Sequence, residues 1–90
     1  MDTLRTRMRI YGRVQGVGFR SLARREALTL SLSGFVRNEN DGSLIIEIEG
    51  DRASVDSFVE WAKRGPSRAQ VERVEIESIV SVSDDGFVIT

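Results

Sequence analysis

The sequence predicts an α+β domain of order β-α-β-β-α-β, with a short extra strand near the C-terminal end. Three observations predict it. Several short stretches alternate apolar and polar residues with the two-residue period of a half-buried strand. Two longer stretches repeat apolar residues at helical spacing. Gly, Asn, Asp and Pro clusters fall between them, where turns and caps belong.

Residues 4–12 alternate: Leu4, Thr6, Met8 and Ile10 point one way, and Arg5, Arg7, Arg9 and Tyr11 the other. After a glycine-rich stretch, Phe19, Leu22, Ala23, Ala27 and Leu30 form one stripe of a helix of about three turns. Leu28 lies off that stripe and would widen the face. Residues 33–38 form a second strand, Asn40-Asp41-Gly42 turns the chain, and residues 43–49 alternate again, giving an antiparallel hairpin. Asp51 is placed to cap a second helix, whose Val55, Phe58, Val59 and Ala62 face the sheet. Trp61 lies beside that stripe as a packing residue, and Gly65-Pro66 stops the helix. Val74 and Ile76 alternate with Glu75 and Glu77 in a fourth strand that could extend to Val82. Asp84-Asp85-Gly86 then turns the chain into Phe87-Val88-Ile89. This order is the ferredoxin-like sandwich: an antiparallel sheet with two helices on one face and right-handed crossovers.

Residues 1–90 are expected to form one domain, since 40% hydrophobic and 30% charged residues suit an ordinary globular chain of this length. The absence of cysteine and histidine excludes disulfides, thiol nucleophiles, imidazole acid–base chemistry and the usual zinc ligand sets. It also suits a reducing, cytoplasmic setting. Met1 to Arg5 contain no apolar run of a signal peptide, and no stretch approaches the roughly 20 apolar residues of a membrane span.

Charge is uneven: residues 1–37 hold eight arginines and net +6, whereas residues 38–90 are net −7. Most of these arginines read as decoration of a solvent face. A local positive field that attracts an anion is the sharper reading, because the glycine-rich loop lies in the basic half. Glu47, Glu49, Glu75 and Glu77, spaced two apart on strands, read as the solvent face of the sheet rather than as metal ligands.

Gly12, Gly16 and Gly18 fall between the first strand and the first helix. Glycines there commonly make only a tight turn, but they also let backbone N–H groups converge at a helix N-terminus. Arg20 adds a guanidinium suited to bidentate phosphate contact. The run lacks the Gly-Lys-Ser/Thr ending of a Walker A loop and the spacing of a dinucleotide fingerprint.

Residues 12–20, Gly-Arg-Val-Gln-Gly-Val-Gly-Phe-Arg, match the Gly-Arg-Val-Gln-Gly-Val-x-Phe-Arg signature of the acylphosphatases at each defined position. Residues 34–42, Gly-Phe-Val-Arg-Asn-Glu-Asn-Asp-Gly, resemble that family's Gly-Trp-Val-x-Asn-x-x-Asp-Gly. A weaker third match is Gly65-Pro66-x-x-Ala69-x-Val71-x-x-Val74-Glu75. The resemblance spans nearly the whole chain. Phe35 replaces the family's Trp, and Ser31 stands where the first helix commonly ends in Gly.

The resemblance implies hydrolysis of acyl phosphates without metal or cofactor. Carried over, the backbone of Gln15, Gly16, Val17, Gly18 and Phe19 and the side chain of Arg20 would bind the phosphoryl oxygens. Asn38 would orient the attacking water. The carboxylate leaving group, with a conjugate acid of pKa about 4, needs no strong general acid. Inorganic phosphate is the expected product and inhibitor, and a monomer free of nucleic acid and membrane is the expected state. Two rivals remain: a non-catalytic domain of this type acting in regulation or assembly, and an RNA-recognition module. The latter would need stacking aromatics on its third strand, and residues 43–49 contain none.

Overall fold

A computed structural model describes residues 3–90. Met1 and Asp2, the first residues of the segment inspected for a signal peptide, lie outside the described residues. The elements run β1 (Thr3–Arg13), α1 (Phe19–Thr29), β2 (Ser33–Asn38), β3 (Leu44–Asp51), α2 (Arg52–Arg64), β4 (Gln70–Ile79) and β5 (Phe87–Ile89). The expected α+β sandwich is present, with strand order β4-β1-β3-β2-β5. The first four strands pair antiparallel, and β5 adds to β2 in parallel. The fourth strand stops at Ile79, and Val80 and Val82 are exposed. Among the described residues no helix is long and apolar enough to cross a membrane.

Register turns the period-two pattern into a core. Met8 pairs with Ile46, and Ile46 with Val36, so the three line one face. With Ile10, Leu44 and Ile48 they meet Phe19, Ala23 and Ala27 of α1 and Val55, Phe58 and Ala62 of α2 in one buried cluster. Each large side chain in it contributes about 1.5–3 kcal/mol by leaving water. Trp61 packs as expected, its ring edge-on to Phe19 at 5.6 Å. The buried face of α1 is narrower than its apolar residues suggest, because Leu22 and Leu28 are exposed and, after Phe19, only the small Ala23 and Ala27 are buried. Gly34 has φ 138° and lies where an added Cβ would collide with the Glu47 carbonyl, so β2 approaches β3 only because it carries glycine there.

The caps are local and specific. Asp51 accepts from the Ser54 N–H at 2.8 Å, as an N-cap should. Helix α1 ends in a Schellman arrangement, with Leu32 N–H donating to Ala27 O at 2.8 Å and Ser31 N–H to Leu28 O at 3.1 Å. Ser31 pays for this by adopting φ 57°.

The other sheet face departs from the sequence expectation. Glu47 and Glu49 are not solvated: they are 7% and 5% exposed, and Arg5 is 3% exposed. Strand pairing sets Arg5 opposite Glu49 and Arg7 opposite Glu47. Arg5 donates from Nε to Glu47 at 2.8 Å, and from Nη1 to Glu49 and to Asp84, both at 3.1 Å. Glu49 also accepts from Ser81 Oγ at 2.6 Å and from the Val82 N–H at 3.1 Å. Residues 80–85 therefore cross the sheet as a strap pinned by a buried charge cluster, and they deliver the chain to β5. Glu75 and Glu77 stay exposed, as expected.

Two measurements check these assignments. Ser31→Gly relieves the left-handed strain and is expected to stabilise the protein by up to about 1 kcal/mol in urea unfolding. The Ser81 hydroxyl holds the Glu49 pKa below the ordinary value against the opposing effect of burial, with help from Val82 and Arg5. A depressed folded pKa means stability that is present above the unfolded value of about 4.3 and lost as pH falls through the folded one. In thermal unfolding between pH 7 and pH 3, Glu49→Gln is expected to lower stability at neutrality by about 1–3 kcal/mol. The same variant should show a shallower acid loss than wild type.

Candidate active site

The loop between β1 and α1 is built by alternation. Val14 and Val17 are buried and anchor it to the core. Gly16 and Gly18, at φ 73° and 79°, turn the backbone outward. Nothing lies within 4 Å of where a Cβ would sit on either, so the conformation, not crowding, demands glycine. Gly18 is the N-cap of α1; no side chain caps the helix, and its first turn carries no acid. The first helical bond runs from Leu22 N–H to Gly18 O at 3.1 Å. Among the described residues, the N–H groups of residues 15–21 donate to no other protein group. They form a cluster of free donors at the positive end of a helix.

Arg20 lies in that first turn. Its Nη1 donates to the main-chain oxygen of Thr90 at 3.2 Å, and the Thr90 N–H donates to Val36 O at 2.9 Å. The end of β5 thus braces the guanidinium. Asn38 is the last residue of β2, paired with Leu44, which in turn faces Ile10 of β1. Its Oδ1 is buried without a hydrogen-bond partner. Such an atom costs about 1–3 kcal/mol when left unsatisfied, so it favours a water or ligand that can donate to it.

These groups meet in a pocket of about 100 Å³ lined by Val14, Gly16, Gly18, Phe19, Arg20, Ser21 and Asn38. A pocket of this size is small, on the scale of a few waters or a small anion. No carboxylate lines it. Of the residues expected at the site, Gly16, Gly18, Phe19, Arg20 and Asn38 come together there. Gln15 and Val17 do not line it: the Val17 side chain is buried, and the Gln15 side chain turns to the β2–β3 hairpin. Sequence reading missed Val14 and Ser21 as lining residues. Val14 lies inside the signature, whereas Ser21 follows it with nothing to mark it.

The field at the loop is narrower than the basic half suggests. Arg5, Arg7, Arg9 and Arg37 are engaged with carboxylates of β3, β4 and the hairpin. A larger depression of about 240 Å³ on the open face lies among Arg7, Arg9, Glu75, Ile76 and Glu77, but its walls carry both charges and no free donor cluster. Of the basic half, Arg20 and the helix end lie at the pocket, whereas Arg5, Arg7 and Arg9 of β1 are turned to carboxylates.

Comparison with known proteins shows the family. Residues 6–89 match the family model described as acylphosphatase. The acylphosphatase of Thermococcus kodakarensis is 49% identical over 77 residues, covering 86% of this chain and 85% of its own. That of Synechococcus sp. is 47% identical over 83 residues, covering 92% of each. The crystal structure of acylphosphatase from Bacillus subtilis superposes with a TM-score of 0.93 at 36% identity, covering 97% of this chain and 98% of that one. Two signatures, one fold and a donor-lined pocket coincide: the chain belongs to the acylphosphatase family.

Proposed function

We propose that the protein hydrolyses the carboxyl–phosphate bond of acyl phosphates, with Arg20 and the loop as the phosphoryl site and Asn38 as the group that orients water. The carrying observation is the convergence of free N–H donors, a braced guanidinium and an unpartnered amide oxygen in one small pocket. The N–H groups from Gln15 to Phe19 and the Arg20 guanidinium hold the phosphoryl oxygens and the charge that develops on them. Asn38 Oδ1 accepts a hydrogen bond from a water and directs its lone pair at phosphorus. The new bond forms between that water oxygen and phosphorus while the bond to the acyl oxygen breaks. The carboxylate leaves unprotonated, and the water's proton passes to the phosphate product or to solvent.

This division suits the residues present. Phosphoryl transfer through a loose transition state asks for position and charge rather than a strong base. An alkoxide, the leaving group of a phosphate monoester, would need a general acid, and no acid lines the pocket.

Hydrolysis of benzoyl phosphate tests this reading. Wild type is expected to be active in the presence of chelator and to be inhibited competitively by inorganic phosphate. Its rate should vary little around neutral pH, because the proposed mechanism uses no histidine, thiol or pocket carboxyl group. Arg20→Ala and Asn38→Ala are each expected to lose about 10²–10³-fold or more in kcat/KM. Full activity in Asn38→Ala would remove the water-orienting role, and an inactive wild type would remove the function.

A further inference from the structure

The side chain of Gln15 has no part in the pocket, yet both hydrogens of its amide are used. Nε2 donates to Glu39 O at 2.8 Å and to Ser43 O at 3.0 Å. Those carbonyls stand at the two ends of the β2–β3 turn, which the Glu39 N–H closes onto Ser43 O at 2.9 Å. Glu39 directly follows Asn38. The amide orientation is set by chemistry, since turning the ring of contacts around would press Oε1 against two carbonyl oxygens. One part-buried side chain therefore ties the loop that carries the free N–H donors to the strand end that carries the unpartnered Asn38 oxygen.

We infer that Gln15 is a positioning residue: its side chain sets the distance between the phosphoryl-binding loop and Asn38. The inference rests on the roles proposed above for that loop and for Asn38. The supports on either side of the gap do not span it. Arg9 Nη1 holds Ser43 Oγ at 3.0 Å and Asp41 accepts from the Ser43 N–H at 2.9 Å, but both fix the hairpin to itself or to mid-β1. Val14 and Val17 fix the loop to the core. Without the amide, the loop keeps its donors and Arg20, and the hairpin keeps its turn. What relaxes is their separation, on which attack by an oriented water depends most steeply.

The test separates rate from anion binding. Gln15→Met keeps the length and the loop backbone but removes both donors. It is expected to lower kcat on benzoyl phosphate about 10–100-fold, the scale of a displacement near 1 Å in a positioned reaction. Inhibition by inorganic phosphate, which reports the loop and Arg20 alone, should change less than about 3-fold, and thermal unfolding should show a folded protein. In ¹⁵N NMR spectra the Asn38 side-chain amide should shift, while the Gly16 and Gly18 amides still respond to phosphate. Wild-type kcat in Gln15→Met overturns the inference, as does a parallel loss of phosphate affinity, which would make Gln15 part of the loop's own frame. Should Gln15→Met fail to fold, Gln15→Asn carries the same comparison, its amide one methylene short of both carbonyls. Activity retained in Asn38→Ala, or absent in wild type, is a failure of the function proposed above and takes this inference with it.

Discussion

The register of β1 between β3 and β4 is the constraint on which the molecule depends. Strand side chains alternate, so a slip of one residue would exchange the two faces of β1 completely. In the observed register Met8 and Ile10 fall under the helices while Arg5 and Arg7 meet Glu49 and Glu47. Each face rejects the slipped alternative, one through hydrophobic burial and the other through charge. The same register places the site. The row Ile10–Leu44–Asn38 lies across the sheet just before β1 runs out, so the loop that follows β1 arises beside Asn38.

The charge segregation along the chain is a folding device before it is a functional one. Basic β1 is flanked by acidic β3 and β4, and the two halves of opposite charge neutralise one another across the open face. Burial of Arg5 would be costly without its carboxylates, since an unmatched buried charge is worth several kcal/mol against folding. Matched, the cluster pins residues 80–85 and carries the chain to β5, whose end braces Arg20. The two ends of the sheet are linked by covalent connection through that strap.

The groups left unsatisfied are concentrated where anion chemistry is proposed. The N-terminus of α2 is capped by Asp51 and the C-terminus of α1 by its Schellman bonds, but the N-terminus of α1 has no side-chain cap. Asn38 Oδ1 is the one buried side-chain polar atom without a partner among the described residues. A sequence that satisfies its polar groups elsewhere and leaves them open around a single pocket has exchanged local stability for a binding surface.

The α+β order, the hairpin, the Asp51 cap and the core stripes were legible because they depend on local periodicity and on turn residues. The loop, Arg20 and Asn38 were legible because they lie in continuous motifs. What the sequence could not disclose required strands distant in the chain to become neighbours. Glu47 and Glu49 carry the two-residue spacing of a solvated face, and only pairing with β1 and cover from the strap reveal them as buried. Gly34 reads as an ordinary strand glycine until the Glu47 carbonyl is seen against it. Nothing in Gln15 or Thr90 as letters predicts that one reaches across 28 positions to Ser43 or that the other braces Arg20, 70 positions away. The sequence by itself determined which segments become strands and helices and which residues could handle an anion. The tertiary structure decided which charges are already paired, which donors stay free, and how near Asn38 stands to the loop, because each of those depends on distances through space that no local pattern encodes.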